Sequence, residues 1–102
     1  MFQNRFSQIK QKHDTIHPED DIAMEQCWKE MTDLLSENLD VTLQFMQSCN
    51  EGDAEMISEV MDDVSNRLRS RSFIEALKQM NARLPNLNIG NLIESDEKMF
   101  LE

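Results

Sequence analysis

The sequence predicts an all-α fold, a bundle or helical-repeat-like stack of about five to six antiparallel helices, and three observations carry that prediction. Apolar residues recur every three or four positions along most of the chain, the repeat of a helix with one buried face. Two glycines and two prolines leave few places to turn, which argues against an all-β fold. The connections between periodic segments are short, so neighbouring helices should run antiparallel. A chain of 102 residues is one domain, residues 1–102, with a single modest core.

Taken in order, Phe2, Phe6, Ile9 and His13 step by four, three and four and predict a first helix over residues 2–13. Residues 14–18 read as a loop, and Pro18 suits the first position of the next helix. Glu19, Asp20 and Asp21 then complement the positive end of its dipole. Met24, Cys27, Trp28, Met31, Leu34 and Leu35 form the buried stripe of that helix, opposed by Glu25, Lys29, Glu30 and Asp33; Ile22 falls off the stripe. A short break over 36–40, with Asp40 as a candidate cap, separates it from a third stripe of Leu39, Leu43, Met46 and Cys49. Asn50 to Gly52 closes that third helix, with Gly52 free to take a left-handed conformation.

The strongest signal lies between Asp53 and Pro85, two amphipathic helices joined by two or three residues. Asp53 stands where an N-cap belongs, and Ile57, Val60, Met61, Val64 and Leu68 fall within about 100° on a helical wheel. Glu55, Glu59, Asp62, Asp63 and Asn66 face the other way. The next helix starts near Ser70 or Ser72 and buries Phe73, Ile74, Leu77, Met80 and Leu84. Pro85 ends it by disfavouring helix in the preceding residue. Beyond, 86–90 reads as a loop with Leu87 and Ile89 against the core, and 91–100 as a short helix using Leu92, Ile93 and Phe100.

Net charge is −10, and its distribution is uneven. Residues 1–13 carry +3, while 14–64 hold fifteen acids against the single Lys29; residues 65–84 return to +4 and 85–102 carry −3. Such a field repels nucleic acid and anionic membrane and attracts basic partners, so no direct nucleic-acid binding is expected. No apolar run exceeds three residues, against the ~18–20 a spanning helix needs. The N-terminus has no charged-then-apolar export pattern, and the expected location is cytoplasmic. Cys27 and Cys49 lie on apolar faces without CxxC spacing and read as reduced core thiols.

Catalytic patterns are absent from the sequence. His13 and His17 have the spacing of two zinc ligands on one helix, but Pro18 and the loop break that geometry and no third ligand is near. His13 is better read as a favourable charge at a helix C-terminus. Glu59, Asp62 and Asp63 would serve acid–base work only in a desolvated cleft, and they point opposite the apolar stripe. With two glycines a phosphate cradle is hard to build. The expectation is therefore no enzyme, cofactor or metal. Met24, Met31, Met46, Met61 and Met80 belong to core stripes, while Met56 sits at a helix edge and should be partly exposed.

What remains is acidity without compensation. Glu51, Asp53, Glu55, Glu59, Asp62 and Asp63 fall within thirteen residues without an intervening Lys or Arg, whereas a solubilising surface usually mixes signs. This pattern favours a docking face for a basic protein.

Ile57-Ser58-Glu59-Val60-Met61-Asp62-Asp63-Val64, followed by Ser70-Arg71-Ser72-Phe73-Ile74-Glu75-Ala76-Leu77 and Leu84-Pro85, resembles small acidic all-helical immunity proteins of bacterial polymorphic or contact-dependent toxin systems. The likeness covers residues 53–87, about a third of the chain. It implies a cytoplasmic protein that binds one cognate toxin, often a nuclease with a basic surface, and blocks it without catalysis. The residues expected at that contact are Glu55, Glu59, Asp62 and Asp63, with Asp20 and Asp21 beside them. The same acidity would also suit a nucleic-acid-mimicking inhibitor of a DNA-binding protein, and the Met and Phe surface a structural or homo-oligomeric protein. The oligomeric state is left open.

Overall fold

The computed structural model describes residues 1–102. Six α-helices and one 3-10 turn account for most of the chain: α1 (Phe2–Thr15), α2 (Asp21–Glu37), α3 (Leu39–Ser48), α4 (Glu51–Leu68), α5 (Arg71–Arg83), the turn Pro85–Leu87, and α6 (Gly90–Leu101). The fold is all-α, as the spacing of apolar residues predicts, and no helix is long and apolar enough to cross a membrane.

Helix starts follow side-chain caps. Asp20 accepts from Ala23 N–H at 3.1 Å and starts α2, so Pro18 stays in the preceding turn instead of opening the helix. The break between α2 and α3 narrows to Asn38, which caps α3 through Val41 N–H at 3.3 Å; Asp40 lies inside the helix. Asn50 accepts from Asp53 N–H at 2.8 Å, so α4 begins at Glu51 and Asp53 is not its cap. Gly52 is consequently helical with no positive φ. Its value is close approach, since a Cβ there would meet Lys10 Nζ at 3.0 Å. The left-handed positions fall instead on Arg69 (φ 45°) and Asn88 (φ 50°), which terminate α4 and the 3-10 turn. Ser70 caps α5 through Phe73 N–H at 3.3 Å, one of the two starts expected.

α4 is the helix that the others surround. It packs against α2 on one flank and α6 on the other, with α5 beneath. α3 closes the bundle between α2 and α5, and α1 lies on the outside of α2. Ala54, Ile57, Val60, Met61 and Val64 of α4 meet Met31, Leu34, Leu35, Phe73, Ile74 and Leu77 in one continuous core. Each of these side chains larger than Ala54, when fully buried, contributes roughly 1.5–3 kcal/mol. Phe2 and Phe6 stack on each other and both make tilted contacts with Phe45 of α3 (ring centroids 5.1 and 4.6 Å), which pins the start of α1 to α3.

Two expectations about exposure fail. Met56 is buried, because the buried face of α4 is wider than the predicted stripe and takes in Ala54, Met56 and Ser65 as well. Leu92 is half-exposed, and the inward face of α6 is taken by Ile93 and by Asp96, which is only 4% exposed. Ile22, off the stripe of α2, stands in solvent.

Candidate protein-interaction face

Folding compensates part of the acidic block from a distance. α1 lays its cations on α2 and α4: Arg5 reaches Glu37 at 2.6 Å, Lys12 reaches Glu30 at 2.8 Å, and Lys10 reaches Asp53 at 3.0 Å. His13 bridges Asp14 and Glu59, each at 3.1 Å. Burial lowers the His13 pKa, yet the bonds to Asp14 and Glu59 and their charges outweigh it and the net shift is upward. Glu59 also accepts from the Trp28 indole N–H at 3.4 Å.

Cations further along the chain are likewise held. Arg67 and Lys29 both bind Asp33, at 2.6 and 3.0 Å, and hold its carboxyl below the usual range. Lys78 and Arg71 do the same for Glu97, each at 3.1 Å. Arg69 bonds Asn66 and lies over the Phe100 ring at 5.6 Å. Arg83 donates at 3.0 Å to the carbonyls of Met46 and Cys49, satisfying the C-terminal end of α3. Lys98 binds Glu94. Every lysine and arginine therefore has an internal partner.

What is left on the outside is negative. Glu55, Asp62 and Asp63 of α4, and Asp21 and Glu25 of α2, are exposed and form no ion pair; Lys29 and Arg67, one turn from Glu25 and Asp63, are turned to Asp33 instead. Trp28 opposite Glu59 and Asp33 opposite Arg67 set α2 and α4 running parallel, so both helices present their first turns at the same end. Between them a groove of about 450 Å³ is lined by Glu25, Trp28, Lys29, Thr32, Asp63, Asn66 and Arg67. Trp28 is half-buried there, a rigid apolar wall among carboxylates.

The other flank of Asp62 is different in kind. Asp96 of α6 faces it, with Ser65 one turn further along α4. Burial pushes the Asp96 pKa up to about 7, helped by the neighbouring Asp62 carboxylate, and the Ser65 hydroxyl opposes this only weakly. Asp96 Oδ2 and Ser65 Oγ are both buried without a hydrogen-bond partner.

The expected contact set is thus divided. Glu55 and Asp63 stand free; Asp62 is free of cations but tied electrostatically to Asp96. Glu59 is withdrawn, because His13 and Trp28 occupy its carboxylate. Asp20 is spent as a helix cap, while Asp21 beside it stays exposed. Asp96, Trp28 and Glu25 belong to the site and were missed. Asp96 gave a faint signal in the sequence, since it lies three residues after Ile93 on the inward face of a short helix.

The histidines do not converge. His17 Nδ1 accepts from Glu19 N–H in the turn before α2, while His13 faces α4. Cys27 and Cys49 are separate buried thiols, both pushed up in pKa by burial; Cys27 donates to the Ile9 carbonyl. A separate hollow of about 390 Å³ between α3 and α5 is lined by the apolar Leu43, Met46, Ala76 and Met80 together with Arg71 and Arg83.

No protein-family model, no curated protein and no solved structure matches this chain. Its function is accordingly argued from the face itself.

Proposed function

We propose that this protein is an immunity-type inhibitor that docks the acidic face of α2 and α4 on a basic protein toxin and blocks it stoichiometrically, without catalysis. One observation carries the reading. All of the chain's lysines and arginines are engaged internally, yet Asp21, Glu25, Glu55, Asp62 and Asp63 keep their carboxylates in solvent on two adjacent helices. Unbalanced charge of this kind speeds encounter with a cationic surface and rejects anionic ones. Trp28, half-buried in the groove between the two helices, is suited to be the apolar anchor that such an interface needs. The likeness of residues 53–87 to small acidic immunity proteins points the same way.

The test is co-purification with the product of the adjacent gene at low and high salt. The expected result is a complex that salt weakens and whose association slows about tenfold when Glu55 and Asp63 are both changed to Lys. Absence of a complex, or an association rate indifferent to both salt and that double change, sinks the reading. Displacement by non-specific duplex DNA would replace it with the nucleic-acid-mimicking inhibitor.

A further inference from the structure

We propose that α1 is a detachable strap, which opens from α2 and α4 as one unit while α2 to α6 stay folded, and which is fastened mainly by charge. Opening uncovers the Cys27 thiol and adds four carboxylates to the acidic surface. The inference stands on the contacts of α1 alone, whatever the acidic face binds.

The share of α1 in the core is small. Of its 14 residues only Phe6 and Ile9 are buried, whereas α4 buries seven of its 18. Its first turn has no side-chain cap and no acid, and a helix of that length is marginal by itself in water. The aromatic contact with α3 sits at the rim of the core, since Phe2 and Phe45 are both only half-buried. No ion pair or ring contact of α1 reaches α5 or α6. At the other end, α2 starts on its own cap, Asp20, so it does not need α1 to define its first turn. Elements with little buried apolar surface at a chain end are the ones that open below the cost of global unfolding.

Charge supplies the rest of the hold. Four ties run along the helix: Arg5 to Glu37 at 2.6 Å and Lys12 to Glu30 at 2.8 Å on α2, Lys10 to Asp53 at 3.0 Å and His13 to Glu59 at 3.1 Å on α4. Residues 1–13 carry +3 and lie on the stretch that holds fifteen acids against one lysine. When α1 leaves, Glu30, Glu37, Asp53 and Glu59 lose these partners together, and the field of the remaining acids draws the helix back. The Arg5 and Lys12 pairs are about half-exposed on both sides, where salt weakens them over a Debye length of ~10 Å at 0.1 M. Salt should therefore loosen α1 more than it loosens the core beneath.

The two cysteines time two different openings. Cys27 is 2% exposed and its Sγ donates to the Ile9 carbonyl at 3.5 Å, so α1 is its roof. Cys49 is 5% exposed and lies between α3 and α5, with Met80 Sδ at 3.9 Å and Arg83 at 3.8 Å. None of the hydrogen-bond partners of Cys49 belongs to α1. Lifting α1 exposes the first thiol, and reaching the second requires α3 and α5 to part.

The experiment labels the intact, native chain with iodoacetamide, a neutral reagent whose own encounter with an acidic protein salt hardly alters, and reads each thiol by mass spectrometry. Cys27 should react about tenfold or more faster than Cys49, because it needs only the local opening. Raising sodium chloride from about 0.05 to 0.5 M should speed Cys27 several-fold more than Cys49. The double change Arg5→Gln and Lys12→Gln, which keeps both stems, should speed Cys27 about fivefold in low salt and leave Cys49 as it was. Amide exchange identifies the moving element: the α1 amides should open together with the Cys27 constant, ahead of those of α2 and α4. Equal labelling of the two thiols at every salt concentration would show that only global unfolding uncovers Cys27, and the strap would be discarded. Exchange of α2 amides in step with Cys27 would discard it as well. A fast Cys27 that ignores both salt and the double change would overturn the fastening by charge.

Discussion

The two flanks of α4 solve the same electrostatic problem in opposite ways. On the α1/α2 flank each inward-leaning acid meets a donor: Asp53 has Lys10, and Glu59 has His13 and Trp28. On the α6 flank Asp62 meets Asp96, a second acid, and the cations of α5 bypass the pair for Glu97. One flank is neutralised by side chains and the other by a proton. The neutralised flank is therefore fixed in composition, whereas the protonated one responds to pH.

The largest expected effect follows from that difference. Asp96 has its carboxyl raised above the value it would have in an unfolded chain, so the folded state binds the extra proton. Its contribution is favourable below the unfolded value near 4 and is lost as pH rises towards about 7. Asp96→Asn should leave stability nearly unchanged at pH 4 and raise it at pH 8 by on the order of 2–4 kcal/mol, read from denaturant unfolding at both pH values. An equal effect at both pH values would mean the proton is not held by this pair.

His13 provides the counterpart on the other flank and has the same sign for a different reason. Burial favours its neutral form, but Asp14 and Glu59 hold the proton more strongly, so its stabilisation is complete below the unfolded value near 6.5 and fades as pH rises through the raised one. His13→Gln should cost about 1 kcal/mol at pH 5.5, discounted for the partial exposure of Glu59, and less at pH 9. Asp33 and Glu97 act in the opposite direction: their lowered pKa values favour the fold above about pH 4 and fail it in stronger acid. The wild-type chain should accordingly be most stable between about pH 4.5 and 6, on the acid side of neutrality.

Much of this asymmetry was hidden from the sequence for a definable reason. Helices announce themselves through local spacing, and the stripe from Ile57 to Leu68 or from Phe73 to Leu84 was legible in full. Caps are local too, but Asn50 competes with Asp53, and the sequence does not say which of two good acceptors starts a helix. Charge compensation is not local. Lys10 and Asp53 are 43 residues apart and Arg67 and Asp33 34 apart, so a block that reads as unbalanced is partly balanced by α1 and by the end of α4 itself. Glu59 was lost from the site, and Asp96 gained, through contacts of this long-range kind.

Next in size come two changes at the start of α4 that should be indifferent to pH across the neutral range. Asn50→Ala removes the cap on Asp53 N–H and should cost about 1 kcal/mol. Lys10→Met breaks a half-buried ion pair while keeping the stem that covers Gly52, and should cost about 0.5–1 kcal/mol. Both are measurable as shifts in urea midpoint at constant slope. A strong pH dependence of either would show that the α1 flank also relies on titration, and the contrast between the flanks would fail.

The smallest stability effects belong to the neighbouring residues Asp62 and Asp63, and they sharpen the contrast most because the two positions look alike in sequence. Asp63 opens onto the groove that also holds Lys29 and Arg67, both satisfied by Asp33. A lysine there adds a like charge in high dielectric, so Asp63→Lys should shift stability by less than about 0.5 kcal/mol at any pH from 5 to 8. Asp62→Lys removes the like charge acting on Asp96 and supplies a cation in its place. It should change little at pH 5, where Asp96 is protonated either way, and stabilise by about 1 kcal/mol at pH 8, where the buried carboxylate gains a counter-ion. Paired unfolding curves of the two variants at pH 5 and pH 8 measure this directly. If Asp62→Lys and Asp63→Lys respond identically to pH, Asp62 belongs electrostatically to the same open surface as Asp63, and the α6 flank has no special relation to the proton.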